Sequence, residues 1–254
     1  VTTYEDMKTP SISTVYMSGN KIYADTVQVC GNYMIMLTRD GLIKFDGNTA
    51  TKLDLKFSSY FANIDNKNAK ASFHAGKYYL ACKLSYQDGL PDFDDTTCTN
   101  NTLICYDVAL QKYTLTRGVD IADLISMQSE SLNKLIMCFN SKKSSIIGEI
   151  NQSGKFFDTS MQKYWVSPLS DLGYSNKRKV IKDVSLLSKY PCKLTIFTEK
   201  ESKTFSICGD ELMFKFPVRL SGKQVGFKIE TDCDKAYISN LQMNIDLLES
   251  ESNL

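Results

Sequence analysis

The stretch Lys163-Tyr-Trp-Val-Ser-Pro-Leu-Ser-Asp-Leu-Gly-Tyr-Ser-Asn-Lys-Arg-Lys-Val-Ile-Lys182 holds the only tryptophan of the chain and its densest basic cluster, and the strand pattern changes across it. On its C-terminal side apolar and polar residues alternate cleanly. Phe214, Phe216, Val218 and Leu220 face one way and Lys215, Pro217 and Arg219 the other; Val225, Phe227 and Ile229 oppose Gly226, Lys228 and Glu230; Leu241, Met243, Ile245 and Leu247 oppose Gln242, Asn244 and Asp246. A period of two predicts half-buried antiparallel strands, because successive side chains of an extended chain point to opposite faces. With residues 180–186, 193–197 and 204–207, these give about six strands separated by turns, the pattern of a β-sandwich domain over residues 161–254.

On the N-terminal side the strands are shorter and come in repeating groups. Residues 21–24, 27–30, 31–38 and 42–45 form the first group, with Asp-Gly turns at Asp40-Gly41 and Asp46-Gly47. Asp-Gly between apolar runs predicts a hairpin, since glycine takes positive φ without a steric cost. Residues 71–76, 77–84, 102–108 and 112–116 repeat the order, with an insertion at 85–101; residues 132–139, 145–150 and 155–157 form a third group. Gly31, Gly76 and Asn133 occupy equivalent positions, 45 residues (31 to 76) and 57 residues (76 to 133) apart. Such intervals are the size of a propeller blade. The predicted fold is therefore all-β: propeller-like repeated antiparallel units over residues 1–160, then the β-sandwich. An irregular sandwich of similar hairpins is the other architecture that fits. Three units do not close a ring, since propellers typically have about four to eight blades, so further blades would lie outside this chain or the arc would stay open. One short helix is expected at 120–126, with Asp120 as its N-cap.

Composition narrows the function classes. The chain has 254 residues, 43% hydrophobic and 23% charged, with a formal net charge of +1, so no global bias toward nucleic acid or anionic membrane exists and any basic function must be local. No apolar run approaches the roughly 20 residues a membrane span needs, and no charged-then-apolar leader opens the sequence, so no membrane anchor is expected. The first residue is Val1, which fits a processed or trimmed chain. The eight cysteines are scattered without C-x-x-C spacing and most lie in apolar runs; they read as small buried hydrophobes of a reducing compartment rather than a disulfide framework or zinc site.

Motifs that carry chemistry are sparse. The sole histidine, His74, lies on a strand and reads as a structural imidazole rather than a general base. No H-E-x-x-H, P-loop or G-x-G-x-x-G motif is present. The loop Asp88-Gly-Leu-Pro-Asp-Phe-Asp-Asp95 clusters carboxylates without the spacing of an EF-hand, so no metal is expected there. No carboxylate pair stands out for glycoside hydrolysis. Lys177, Arg178, Lys179 and Lys182 could meet a phosphate backbone or an acidic partner, or form a solvated strand edge. Trp165, followed by Pro168, reads as a buried aromatic that anchors the two halves, or as a sugar-stacking platform.

Two parts of the sequence resemble a known kind of viral protein. Phe73-His-Ala-Gly-Lys-Tyr-Tyr-Leu-Ala81, then Asn101-Thr-Leu-Ile-Cys-Tyr-Asp107 and Tyr113, is similar to the blade pattern of propeller-containing bacteriophage tail proteins. Trp165-Val-Ser-Pro-Leu-Ser-Asp-Leu-Gly173 with Lys177-Arg-Lys179 resembles the segment by which those proteins pass from propeller to β-sandwich. The group includes the tail nozzle (tubular protein B) of short-tailed phages and related tail-hub and DNA-stabilisation proteins. The resemblance implies a non-enzymatic virion component without cofactor, made in the host cytoplasm. It further implies a homo-oligomeric ring around the DNA channel, contacts with other tail or head–tail connector proteins, and transient contact with DNA. A carbohydrate- or receptor-binding β module of a tail or cell surface, using Trp165 or a loop tyrosine such as Tyr86, is the alternative function.

Overall fold

The computed structural model describes residues 21–53, 58–61, 64–86, 98–140, 144–150, 155–156, 159–210, 212–233 and 235–248. The carboxylate loop at 88–95 and the C-terminal residues 249–254 lie outside them. Among the described residues every regular element is a strand or a single 3-10 turn, and no helix is long and apolar enough to cross a membrane. The chain divides into two compact units, Val1–Ile150 and Asn151–Leu254.

The first unit contains three antiparallel sheets, each following chain order. β1 (Gln28–Cys30), β2 (Tyr33–Thr38), β3 (Gly41–Phe45) and β4 (Ala50–Lys52) form the first; β5 (Lys70–His74), β6 (Lys77–Cys82), β7 (Thr102–Asp107) and β8 (Lys112–Arg117) the second; β9 (Ile121–Gln128), β10 (Asn133–Asn140) and β11 (Ser145–Glu149) the third. The turn chemistry explains the repetition. Gly31 (φ 67°) and Gly76 (φ 78°) turn the chain between the first two strands of their sheets, a left-handed conformation that strains any side chain with a Cβ. Asp46 and Asp107 close the last turn of those sheets in the same way. Asp46 Oδ1 accepts from the N–H groups of Asn48 (2.9 Å) and Thr49 (2.7 Å), and Asp107 Oδ1 from those of Ala109 (3.1 Å) and Leu110 (2.9 Å). Gly31, Gly76 and Asn133 thus all adjoin the hairpin between the first and second strands of a sheet, as their spacing predicted.

The sheets meet through their first strands: β1 packs on β5 and β6, which in turn pack on β9. Ile35, Leu37 and Leu42 of the first sheet share a core with Tyr78, Leu80, Ile104 and Tyr106 of the second. Tyr78 is fully buried and donates its hydroxyl proton to the Thr26 carbonyl at 2.8 Å, so its polar tip is satisfied. Buried asparagines brace the ends of the second sheet, and Asn100 also reaches the third. Asn101 exchanges two hydrogen bonds with the Leu84 backbone (2.9 and 2.8 Å), and Asn100 Nδ2 donates to the Ile121 carbonyl at 2.7 Å.

Two expectations for this unit are corrected. Residues 121–128 form β9 instead of a helix. Ile121 and Leu124 are both buried although three apart, which imitates a helical stripe, but an extra residue, Ala122, bulges between the pairs Asp123–Cys138 and Ile121–Phe139 and brings both side chains to one face. Asp120 caps nothing; its Oδ1 accepts from the Thr99 N–H at 2.7 Å. Residues 155–156, expected to extend the third group, form β12 (Lys155–Phe156) and pair with β13 (Thr159–Ser160).

The second unit continues with β14 (Lys163–Val166), β15 (Arg178–Ser188), β16 (Cys192–Thr198), β17 (Ser202–Ile207), β18 (Leu212–Gly222), β19 (Val225–Thr231) and β20 (Ile238–Leu248). They form two antiparallel sheets, β14-β19-β16-β17 and β18-β15-β20. The alternation read from the sequence holds: Val218 and Leu220 of one sheet share a core with Ile196, Val225 and Ile229 of the other, while Phe214, Phe216, Leu241, Met243 and Ile245 pack at its margin. All eight cysteines are free; Cys30, Cys82, Cys98 and Cys192 are buried, and Cys208 is exposed.

Candidate functional site

The basic cluster is dispersed by the alternation of β15 and reassembled with a residue from another strand. Lys179 turns inward. It is 0% exposed, and its ammonium donates to the carbonyls of Tyr174 (2.6 Å), Lys177 (3.1 Å) and Lys223 (2.7 Å). Three donors meet three acceptors, so this lysine ties the turn after residue 173 to the β18–β19 turn. Its expected contact with DNA or a partner is corrected: the charge is occupied inside the fold. Lys177 contributes its carbonyl to that cage and is half-buried.

Arg178 and Lys182 are exposed, and they line a groove of about 470 Å³ together with Arg219 of β18. Two bulges shape it. Opposite Lys182, β18 carries Val218 and Arg219 between the pairs Ile181–Leu220 and Asp183–Pro217, and Arg219 adopts φ 59° there; relative to β20, Lys182 itself is the extra residue. A bulge re-aims a side chain out of the regular pleat. The Arg178 guanidinium donates from Nη2 to Ser221 Oγ at 2.7 Å, and Lys182 pairs with Asp246 at 2.7 Å. The sequence placed Arg219 on the outward face of its strand; its partnership with Arg178 and Lys182 depends on cross-strand register, which no single strand encodes.

A second, apolar groove of about 550 Å³ lies between β14 and β19 on one side and β20 on the other. Trp165 lines it, with its ring centroid 4.6 Å from that of Phe227. The expected burial of Trp165 is corrected: it is 57% exposed, on a strand that lies at the edge of its sheet among the described strands. Its neighbours Tyr164 and Val166 are exposed as well, and Pro168 follows in an exposed loop. Asn240, at a bulge in β20 with φ 54°, forms part of the opposite wall.

Elsewhere, His74 Nδ1 lies 2.9 Å from Ser126 Oγ and joins β5 to β9, a structural placement. Tyr86, a candidate sugar platform, is packed: its hydroxyl meets Thr102 Oγ1 at 2.6 Å, and Arg117 covers its ring at 3.9 Å. No group of three potential metal ligands occurs among the described residues. Burial pushes the Cys30 thiol up to about 12 and raises Cys82, Cys105 and Cys192 as well, so these sulfurs are held as neutral thiols and not as nucleophilic thiolates.

No protein-family model matches the chain, and a search of curated proteins finds no match.

Proposed function

We propose that this chain is a non-enzymatic structural subunit of a bacteriophage tail, made in the host cytoplasm and assembling with itself and with neighbouring tail or head–tail connector proteins around the DNA channel. The observation that carries the reading is edge strand β14. It presents Tyr164, Trp165 and Val166 to solvent beside an apolar groove, at the edge of its sheet among the described strands. Monomeric proteins usually blunt such an edge with charge or proline, and an apolar one is a template for another chain. The outward face of the third sheet adds Ile125, Met127 and Ile147, which are 49%, 44% and 73% exposed.

The fold arrangement belongs to the same proposal. Three up-and-down sheets in succession, of which the first two share turn chemistry, support a partial propeller. Two sheets around one apolar core support a β-sandwich in the second unit.

Light scattering over a concentration series, at low and high salt, tests the reading. A defined oligomer that persists in high salt and dissociates on Trp165→Lys is the expected result. A monomer at every concentration would count against self-assembly. The glycan-binding alternative rests on the exposed Trp165–Phe227 pair; it predicts a shift in the fluorescence of the single tryptophan on adding soluble oligosaccharides, and no oligomer.

A further inference from the structure

We infer that the groove formed by Arg178, Lys182 and Arg219 is a binding site for the phosphate backbone of a nucleic acid. The inference goes beyond the assembly reading and stands independently of any oligomer.

The outward face of the β18-β15-β20 sheet carries Arg178, Lys182, Lys215 and Arg219 against two carboxylates among its described residues. Each carboxylate is taken by a lysine: Asp246 by Lys182 at 2.7 Å, and Asp183 by Lys215 at 3.5 Å. Neither arginine has a carboxylate partner among the described residues, so the excess positive charge is concentrated on two guanidinium groups in one groove. Guanidinium is the side chain best matched to phosphate, since its planar fork donates two parallel hydrogen bonds to two oxygens and stays charged at any working pH.

Geometry favours the same ligand. Arg178 is oriented by its hydrogen bond to Ser221 Oγ before a ligand arrives, and the bulged backbone at Arg219 (φ 59°) sets the base of that side chain beside the same groove. Such positions are costly for an arginine, whose Cβ crowds the backbone at positive φ. The groove walls are aliphatic, with Val180 and Leu248 among them, and no aromatic ring lines the site. Base stacking needs an aromatic platform, so the site suits backbone contact without sequence reading. Carboxylates fit the same guanidinium forks, so an acidic protein segment is the competing occupant and the titration below compares the two.

The test is titration of a fluorescently labelled oligothymidylate into the full chain by anisotropy, between about 25 and 300 mM salt, where each contacted phosphate contributes roughly −0.7 to the slope of log affinity against log salt. The expected slope for the two guanidinium contacts is about −1.4, and Arg219→Asn lowers its magnitude by nearly one contact while weakening binding several-fold at low salt. Asparagine is chosen because it tolerates the left-handed backbone that alanine would strain. Lys112→Gln, a charge removed from the first unit, leaves both quantities unchanged. Far-ultraviolet circular dichroism checks that each variant is folded. Absence of binding at low salt would overturn the inference. So would equal losses in the Arg219→Asn and Lys112→Gln variants, or tighter binding of polyglutamate than of the oligonucleotide.

Discussion

The two units satisfy their buried polar groups in opposite ways. In the first, strands are short and the irregular segments between sheets are stitched by amide side chains: Asn66 Oδ1 accepts from the Lys83 N–H at 2.7 Å, and Asn100 and Asn101 bond to the Ile121 and Leu84 backbone. Among the described residues, Asn100 Oδ1 is the buried side-chain oxygen left without a partner. In the second unit three strands of eleven residues satisfy one another, with bulges at Lys182, Arg219 and Asn240. Its one large buried polar side chain is Lys179. Many neutral amides distribute the cost of irregular backbone, whereas one ammonium concentrates it; the second arrangement should be the more brittle to a single substitution.

Lys179→Met is the largest test of that contrast. Methionine fills the volume but removes the donor from three carbonyls, and leaving buried acceptors unsatisfied costs about 3 kcal/mol or more in total. The single tryptophan lies in the second unit, so urea unfolding followed by its fluorescence reports on that unit by itself. The expected result is a lowered tryptophan midpoint, with the remaining circular dichroism transition unchanged. Equal shifts of both signals would mean that the units unfold as one cooperative block, and the contrast would fail.

This difference also decides what could be read from the sequence. Alternation along β18, β19 and β20 was legible because a period of two requires only that one face be buried. The hairpin positions of Gly31 and Gly76 were legible because positive φ selects glycine at the turn itself. Bulges were not. Ala122 put Ile121 and Leu124 on one face at a helical spacing, and the bulges at Lys182 and Arg219 built a groove from residues far apart in sequence. The inward turn of Lys179 could have been suspected from its phase, since it alternates with Arg178 and precedes Ile181 by two, but a charged residue in that phase reads as surface until its three carbonyls are seen.

A second prediction uses alkaline pH to separate the units. Burial raises Cys30, Cys82, Tyr78, Tyr79 and Cys105 in the first unit, and Cys192 in the second. A thiol whose folded pKa lies above its unfolded one contributes stability that is complete below the unfolded value, near 9, and is lost as pH climbs toward about 12 for Cys30. The first unit should therefore lose stability faster than the second above pH 9, with its circular dichroism melting ahead of the tryptophan signal. The reverse order would show that buried thiols and phenols do not govern alkaline stability here.

The smallest effect concerns a single exposed turn and runs the other way in pH. The N–H of Thr49, then that of Asn48, holds the Asp46 carboxyl down to about 2 from 3.8. A depressed carboxylate contributes stability that is present above its unfolded pKa and lost as pH falls through the folded one, here from about 4 down to about 2. Because Asp46 is open to solvent, the consequence is local: the β3–β4 turn should loosen while both cores persist. Amide exchange at Asn48 and Thr49 reads this directly. Asp46→Ala at neutral pH should speed exchange at those two amides and leave Ala109 and Leu110, under Asp107, as they were. If both turns loosen together after Asp46→Ala, then the repeated aspartate does not act locally, and the likeness of the two sheets lies in their packing and not in their turns.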